Sequence, residues 1–175
     1  DRRHMQDQDW FNLKPVIKTK MNLEMAATDE MLEIALQVMP EDICLVPERR
    51  EERTTEGGLN LNSNFNYLKT FIGELAKKGI RVSLFIAPDK DSIDQALELQ
   101  APVIELHTGH YADSINEEQG KELINIQDLA SYAYKQGLVV NAGHGLNYDN
   151  VSAIAKIKEI NELNIGHAIV AEALF

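Results

Sequence analysis

The sequence predicts an α/β fold in which short parallel strands alternate with helices, as in a (β/α)8 TIM barrel. Apolar runs rich in Val, Ile and Leu alternate with helical patterns along the whole chain, which is typical of parallel strands joined by crossover helices. Each strand-plus-helix unit takes only ~20–35 residues, a length that suits such a barrel. Ionisable residues also stand where several strands end, and barrels bind their ligands at that face.

The elements follow from local patterns, beginning at the N-terminus. Asp7 can cap a first helix that carries Trp10 and that Pro15 ends. Six strands are predicted, at 21–26, 43–46, 81–87, 102–107, 138–140 and 163–165. Thr28 caps the next helix, which has an apolar face, and the helices are predicted at 29–39, 66–78, 91–99, 117–136, from 151 and from 168.

The number of units indicates only part of a barrel. Six units in 175 residues, against eight in the ~250 residues of a typical barrel, predict strands 3–8. An open, doubly wound sheet of six strands is the alternative. We expect a single domain over 1–175 that lacks the N-terminal strands 1–2 and the C-terminal end, because the chain opens in the charged run DRRH and stops within an apolar pattern. Such a fragment, expressed alone, is expected to aggregate or to stay partly unfolded, and to be inactive, since both sheet edges would be open.

Composition and charge exclude several classes of protein. With 44% hydrophobic and 26% charged residues the chain is globular. A net charge of −11 argues against binding to nucleic acid or to an anionic membrane, but still allows a small phosphorylated ligand. No apolar run approaches the ~18 residues of a membrane span. Cys44, the single cysteine, can form no internal disulfide and is expected to be a buried apolar residue in a cytoplasmic protein.

Ionisable side chains stand at four predicted strand ends, occupied by Glu24, by Glu105 with His107, by His144 and by His167. In a parallel barrel these ends share one face, so the side chains should converge. Two interpretations stay open. The cluster could hold a divalent metal, as in barrel isomerases and epimerases, or perform metal-free general acid–base catalysis. The lack of Asp and of a metal-binding spacing favours the second. No lysine ends a strand, so a Schiff-base mechanism is not expected.

Two further stretches suggest ligand contacts. Gly166 and His167 precede the last helix, where main-chain N–H groups suit a phosphate, and barrels often hold phosphate after strands 7 and 8. The polar stretch 47–64, PERREERTTEGGLNLNSN, is unusually long for a loop in a compact domain. Such loops are either functional lids or disordered.

Seven motifs cover essentially the whole chain: DRRH at 1–4, MNLEMA at 21–26, LVPERREERTTEGGL at 45–59, RVSLFIA at 81–87, IELHTG at 104–109, VNAGHGLNYDNV at 140–151 and ELNIGHAIV at 162–170. In this order they resemble the pyridoxine 5'-phosphate synthase family of vitamin B6 biosynthesis. The resemblance implies a cytoplasmic, homooctameric TIM barrel. It also implies condensation of 3-amino-2-oxopropyl phosphate with 1-deoxy-D-xylulose 5-phosphate, without a metal or other cofactor, to pyridoxine 5'-phosphate, phosphate and water.

The resemblance also implies roles for individual residues. The TTEGG stretch resembles the family's lid, which would exclude water during proton transfer. An Asn, an Asp-His pair, an Arg and a second His that the family carries upstream of DRRH have no counterpart in this sequence. The resemblance assigns no role to His107 or His110. His107 is expected to lie behind the site, and His110 is expected to lie in a loop. The implied roles are a general base for Glu24, a general acid for His144, transition-state stabilisation for Glu105, contacts to deoxyxylulose phosphate for His4 and Thr54, and binding of the aminoketone phosphate for Gly145, Gly166 and His167.

Two rival hypotheses accompany this one. The first is a metal-dependent phosphosugar epimerase or isomerase on the same barrel, which bound metal in the purified protein would favour. The second is a non-catalytic remnant that keeps the fold and only self-associates.

Overall fold

The computed structural model describes residue 2, residues 4–49, residues 52–54 and residues 57–174. The predictions that fall on Asp1, Arg3, Arg50, Thr55 and Glu56 therefore lie outside the described residues. In the described part of the chain there are six strands, β1 (Asn22–Met25), β2 (Asp42–Leu45), β3 (Arg81–Ile86), β4 (Val103–His107), β5 (Val139–Gly143) and β6 (Ile160–Asn164). The helices are α1 (Asp7–Leu13), α2 (Asp29–Val38), α3 (Phe65–Lys77), α4 (Lys90–Glu98), α5 (Gly109–Asp113), α6 (Asn116–Lys135), α7 (Val151–Ile154) and α8 (His167–Ala173).

The six strands form one parallel sheet in the order of the sequence, from β1 to β6. A doubly wound sheet reverses its strand order at a switch point, so the sequential order excludes that alternative. The order is that of a partial (β/α)8 barrel, which confirms the predicted fold class. Within the described residues, β1 and β6 each pair along one side only.

Burial along the strands decides which side chains can reach a site. All residues of β2 and β4 are buried, as expected for parallel strands that are covered on both faces. Strand β1 instead alternates, with Leu23 and Met25 buried and Asn22 and Glu24 exposed. Because successive side chains of a strand point to opposite faces, Glu24 lies on the face opposite the buried Leu23.

The helices begin where short polar side chains cap them. Thr28 Oγ1 accepts a hydrogen bond from the Met31 N–H at 3.2 Å, which confirms the predicted cap of α2. Helix α4 begins at Lys90, slightly earlier than expected, because Asp89 accepts from the Ser92 N–H at 2.8 Å. None of the helices in the described ranges combines the length and apolar character needed to cross a bilayer.

Three local predictions after β4 were wrong. The last strand, predicted at 163–165, is β6 at Ile160–Asn164, because it pairs with β5 from Val140 to Gly143. Strand β5 does not end at Val140 but continues to Gly143, because it pairs with β4 through Gly143 and with β6 beyond Val140. This pairing on both sides overrides the low strand propensity of Asn and Gly. His110 lies in the five-residue helix α5, which was not predicted, and not in a loop.

Candidate active site

A cavity of about 950 Å³ opens at the C-terminal ends of the strands. Its wall includes the carboxylates of Glu24 and Glu105 and the ring of His144, as the strand-end pattern predicted. The other predicted site residues on the wall are His4, Gly145, Gly166 and His167. Thr54 is not among the described residues that line it.

Glu105 is the most enclosed ionisable group of the cavity, with 4% of its surface exposed. Its Oε2 accepts hydrogen bonds from Nδ2 of Asn164 at 2.6 Å and from Sγ of Cys44 at 3.5 Å. Burial raises the pKa of Glu105 to about 7, and the charge of Glu24 adds to this, whereas the Asn164 amide opposes it. A carboxyl group with a pKa near neutrality suits proton transfer at neutral pH.

Gly143 makes room for this carboxyl group. A Cβ at the position of Gly143 would lie 2.2 Å from Oε1 of Glu105 and 2.9 Å from the carbonyl oxygen of Asn164. Only glycine allows a side chain to approach the strand so closely. The glycine that the sequence placed in a turn thus ends β5 and lies directly against the carboxyl group of Glu105.

His107 supports His144 from one side. The two rings stack with their centroids 4.6 Å apart and an interplanar angle of 27°, and Phe85 lies 5.1 Å from the His107 ring. Nδ1 of His107 accepts from the Gly109 N–H at 3.1 Å, which leaves Nε2 as the protonated nitrogen of a neutral ring. Burial, followed by the proximity of His144, lowers the pKa of His107 to about 4. The ring is therefore neutral at pH 7, and it lies on the cavity wall and not behind it.

The backbone of His144 is strained. Its φ of 82° lies in the left-handed region, which costs a non-glycine residue about 1–3 kcal/mol. The buried Thr108 holds this conformation, because its hydroxyl lies 2.8 Å from the carbonyl oxygen of Gly143 and 2.6 Å from that of His144. Strain of this kind persists where the surrounding structure enforces it, often at functional sites.

The stretch 47–64 reaches the cavity through residues other than Thr54. Arg53 and Gly57 line the wall, and a Cβ on Gly57 would lie 2.7 Å from Nε2 of His107. The Leu59 N–H donates to the carbonyl oxygen of Phe85 at 2.8 Å, which attaches the stretch to β3. The Thr54 hydroxyl is buried and has no hydrogen-bond partner among the described residues.

Sequence reasoning missed three polar residues of the wall, Asn164, Arg53 and Asn147. Asn164 ends β6, but its amide does not ionise, so the rule that singled out ionisable side chains at strand ends did not select it. Arg53 stands in a charged run that by itself indicates only a solvated surface. Among the described residues no group of three or more His, Cys, Asp or Glu side chains is arranged to hold a metal ion.

Comparison with protein families matches residues 1–175 to the family described as Pyridoxal phosphate biosynthesis protein PdxJ. The chain belongs to the PdxJ family. Its relatives include proteins named pyridoxine 5'-phosphate synthase from Zymomonas mobilis and Aliivibrio fischeri, both 57% identical over 100% of this chain and over 68% and 72% of their own lengths. The protein of that name from Prochlorococcus marinus is 58% identical over 99% of this chain and 73% of its own length. The family resemblance seen in the motifs is thus confirmed.

Solved structures resemble this PdxJ chain in fold alone. The Amycolatopsis orientalis BexX/CysO complex matches with a TM-score of 0.63 at 14% identity, over 97% of this chain and 67% of that one. The YdjI aldolase of Escherichia coli K12 matches with a TM-score of 0.63 at 11% identity, over 96% and 62%.

Proposed function

We propose that the chain carries the active site of a pyridoxine 5'-phosphate synthase. The reaction condenses 3-amino-2-oxopropyl phosphate with 1-deoxy-D-xylulose 5-phosphate and yields pyridoxine 5'-phosphate, inorganic phosphate and water. The observation that carries this proposal is the identity of 57% to proteins of that name across 100% of the chain. The roles below combine that family resemblance with the geometry of the cavity.

Glu24 and His144 are proposed as general base and general acid. The amine of one substrate must attack the ketone of the other, and the imine, the dehydration and the ring closure each require proton transfers. Both side chains are exposed to the cavity, where they can reach a substrate. The strained backbone of His144 and its stacking on His107 restrict the position of its ring, as a proton donor requires.

Glu105 is proposed to stabilise the transition state. When ionised, its carboxylate places a negative charge in a cavity where a cationic imine would form, and buried charges interact more strongly than charges in water. A pKa of about 7 means that both forms of Glu105 are populated near neutral pH. The contacts from Asn164 and Cys44 hold one oxygen while the other lies over Gly143.

The phosphate groups of the substrates are proposed to bind around the rim of the cavity. Gly145, Gly166 and His167 are assigned to the aminoketone phosphate, and His4 and Thr54 to deoxyxylulose phosphate. The buried hydroxyl of Thr54, which no group in the described part of the chain engages, supports its part in this assignment. Arg53, the single Lys or Arg on the described wall, is proposed as a further phosphate contact, because both substrates are anionic.

The complete enzyme is proposed to be an eight-stranded barrel. Six sequential strands are three quarters of such a barrel, and the chain spans 68% to 73% of the lengths of its relatives. Two further strands would bridge the unpaired sides of β1 and β6. The cytoplasmic location and the homooctamer are taken from the family resemblance.

The test is the reaction itself. The complete enzyme is incubated with both substrates, and pyridoxine 5'-phosphate and released phosphate are measured. Replacement of a general base typically lowers the rate by about 10²–10⁴-fold, so we expect a loss of this size in Glu24→Gln. Glu33→Gln, which changes an exposed glutamate of α2, is the matched control and should retain full activity. No product from the wild type would overturn the proposal, and a divalent metal bound in the purified enzyme would then favour the epimerase alternative.

A further inference from the structure

Asn164 makes the shortest contact to Glu105. Its Nδ2 donates to Oε2 of Glu105 at 2.6 Å, and the two residues are 59 positions apart in the sequence. Asn164 is the last residue of β6 and lines the cavity. Its amide therefore meets Glu105 at the C-terminal ends of the strands, where the substrates are proposed to bind.

The two carboxylate oxygens of Glu105 have different surroundings. Oε2 receives both donors, the Asn164 amide and the Cys44 thiol. Oε1 lies above Gly143, where a Cβ would be only 2.2 Å away. Because Oε2 is already engaged, Oε1 is the oxygen left for a substrate.

We propose that Asn164 is a positioning residue, whose amide fixes Oε2 of Glu105 so that Oε1 is presented to the substrate. The catalytic consequence rests on the proposed function, but the contact itself can be tested without it. The amide also favours the ionised carboxylate, because a hydrogen bond to the charged form stabilises that form.

The charged and polar groups that affect the ionisation of Glu105 come from several elements. Glu24 on β1 and Glu162 on β6 oppose its ionisation, and Cys44 on β2 donates to it. The residues in register with it on β3 and β5, Phe85 and Asn141, carry no charge. His107 and His144, on its own strand and after β5, share the cavity. Asn164 is therefore the stronger of the two neutral donors that oppose the effects of burial and of the two carboxylates on the pKa of Glu105.

Infrared spectroscopy of the complete enzyme tests the contact directly. The band of the protonated carboxyl group is assigned to Glu105 by its loss in Glu105→Gln and is followed against pH. Asn164→Ala removes the donor, and Asn164→Asp keeps the size of the side chain while it replaces the donor by a negative charge. The midpoint of the band should move to higher pH in Asn164→Ala and still further in Asn164→Asp.

Asn161→Ala is the matched control, because this exposed residue of β6 donates at 3.5 Å to the neutral Asn141 and does not line the cavity. Its midpoint should equal that of the wild type. In the formation of pyridoxine 5'-phosphate, loss of a hydrogen bond to a charged group should reduce kcat about ten-fold or more. The acidic limb of the pH profile should move upward together with the infrared midpoint.

The contact between Asn164 and Glu105 and its effect on catalysis can be refuted separately. Equal midpoints in the wild type, Asn164→Ala and Asn164→Asp would overturn the proposal, whatever the activity. Shifted midpoints in an enzyme that makes no pyridoxine 5'-phosphate would support the contact and overturn the proposed function. Shifted midpoints with unchanged kcat would show that Asn164 does not position Glu105 for catalysis.

Discussion

The substitution Gly143→Ala would show how closely the cavity is built around Glu105. The new Cβ would lie 2.2 Å from Oε1 of Glu105, 2.9 Å from the carbonyl oxygen of Asn164 and 3.2 Å from the Asn164 Cβ. Gly143 does not have a positive φ, so alanine fits its backbone conformation. Any cost of the substitution therefore comes from the contacts.

Relief of the contact requires Oε1 to move by roughly 1 Å, since ordinary van der Waals contact to a Cβ begins near 3.4 Å. The hydrogen bond from Asn164 to Oε2 opposes this movement, and the Asn164 carbonyl belongs to the backbone of β6. Overpacking of this kind costs about 1–3 kcal/mol of folding stability. A displacement of about 1 Å at a reacting group can lower the rate about 10²-fold.

Urea unfolding and formation of pyridoxine 5'-phosphate measure the two effects in the complete enzyme. Gly120→Ala is the control, because this exposed glycine of α6 has no neighbour within 4 Å of a new Cβ, and alanine there should add up to about 1 kcal/mol. Removal of the carboxylate by Glu105→Ala should relieve part of the cost of Gly143→Ala. The reasoning is refuted if Gly143→Ala is as stable and active as the wild type, or if its cost is unchanged in the Glu105→Ala background.

Three further substitutions test other parts of the site. Thr108→Val removes the hydroxyl that holds the turn after β5 and should cost about 1 kcal/mol in urea unfolding. The partly buried carbonyl of His144 loses the hydroxyl as donor, whereas the carbonyl of Gly143 keeps the Thr108 backbone N–H. An equally stable variant would contradict this. Because the pKa of Glu105 is raised to about 7, the native state binds a proton that the unfolded chain releases, and this stabilisation is lost as the pH rises from about 4.5 to 7. Glu105→Gln should therefore gain stability relative to the wild type as the pH rises across that range. His107 makes the opposite contribution, but it is the same in both proteins. A difference in unfolding free energy between the two proteins that does not change with pH would refute the raised pKa of Glu105. Arg53→Ala should raise the KM of a phosphorylated substrate about ten-fold, as expected for a lost hydrogen bond to a charged group. Arg49→Ala, which changes a residue outside the cavity wall, should leave the KM unchanged. Equal effects of the two substitutions on the KM would exclude a local phosphate contact of Arg53.

The elements that the sequence predicted correctly depend on neighbours along the chain. The Thr28 cap and the buried Met31, Ala35 and Val38 of α2 follow from spacing within one helix. The ends of β5 and β6 could not be placed in this way, because pairing between the strands extends β5 to Gly143 and starts β6 at Ile160. The helix α5 is too short to produce a periodic pattern.

In the candidate site, too, features set by neighbours along the chain could be predicted, and features set by distant strands could not. Placement of Glu105 and His107 on one face needs only the alternation of a strand, and the structure shows both on the cavity wall. The partners of Glu105 could not be predicted, since Cys44 and Asn164 are 61 and 59 positions away in the sequence. The space that Gly143 leaves for the carboxylate depends on the close approach of three strands, which no local pattern encodes.

Cys44, buried on β2, can report on opening of the sheet through the reactivity of its thiol. It is the single cysteine of the chain, and burial together with the charges of Glu105 and Glu24 raises the pKa of its thiol well above the ordinary range. Alkylating reagents need an exposed thiolate, so labelling can proceed only when β2 separates from its neighbours. The labelling rate would therefore measure how often β2 separates from β1 and β3, and a ligand that bridges Glu24 and Glu105 should slow it.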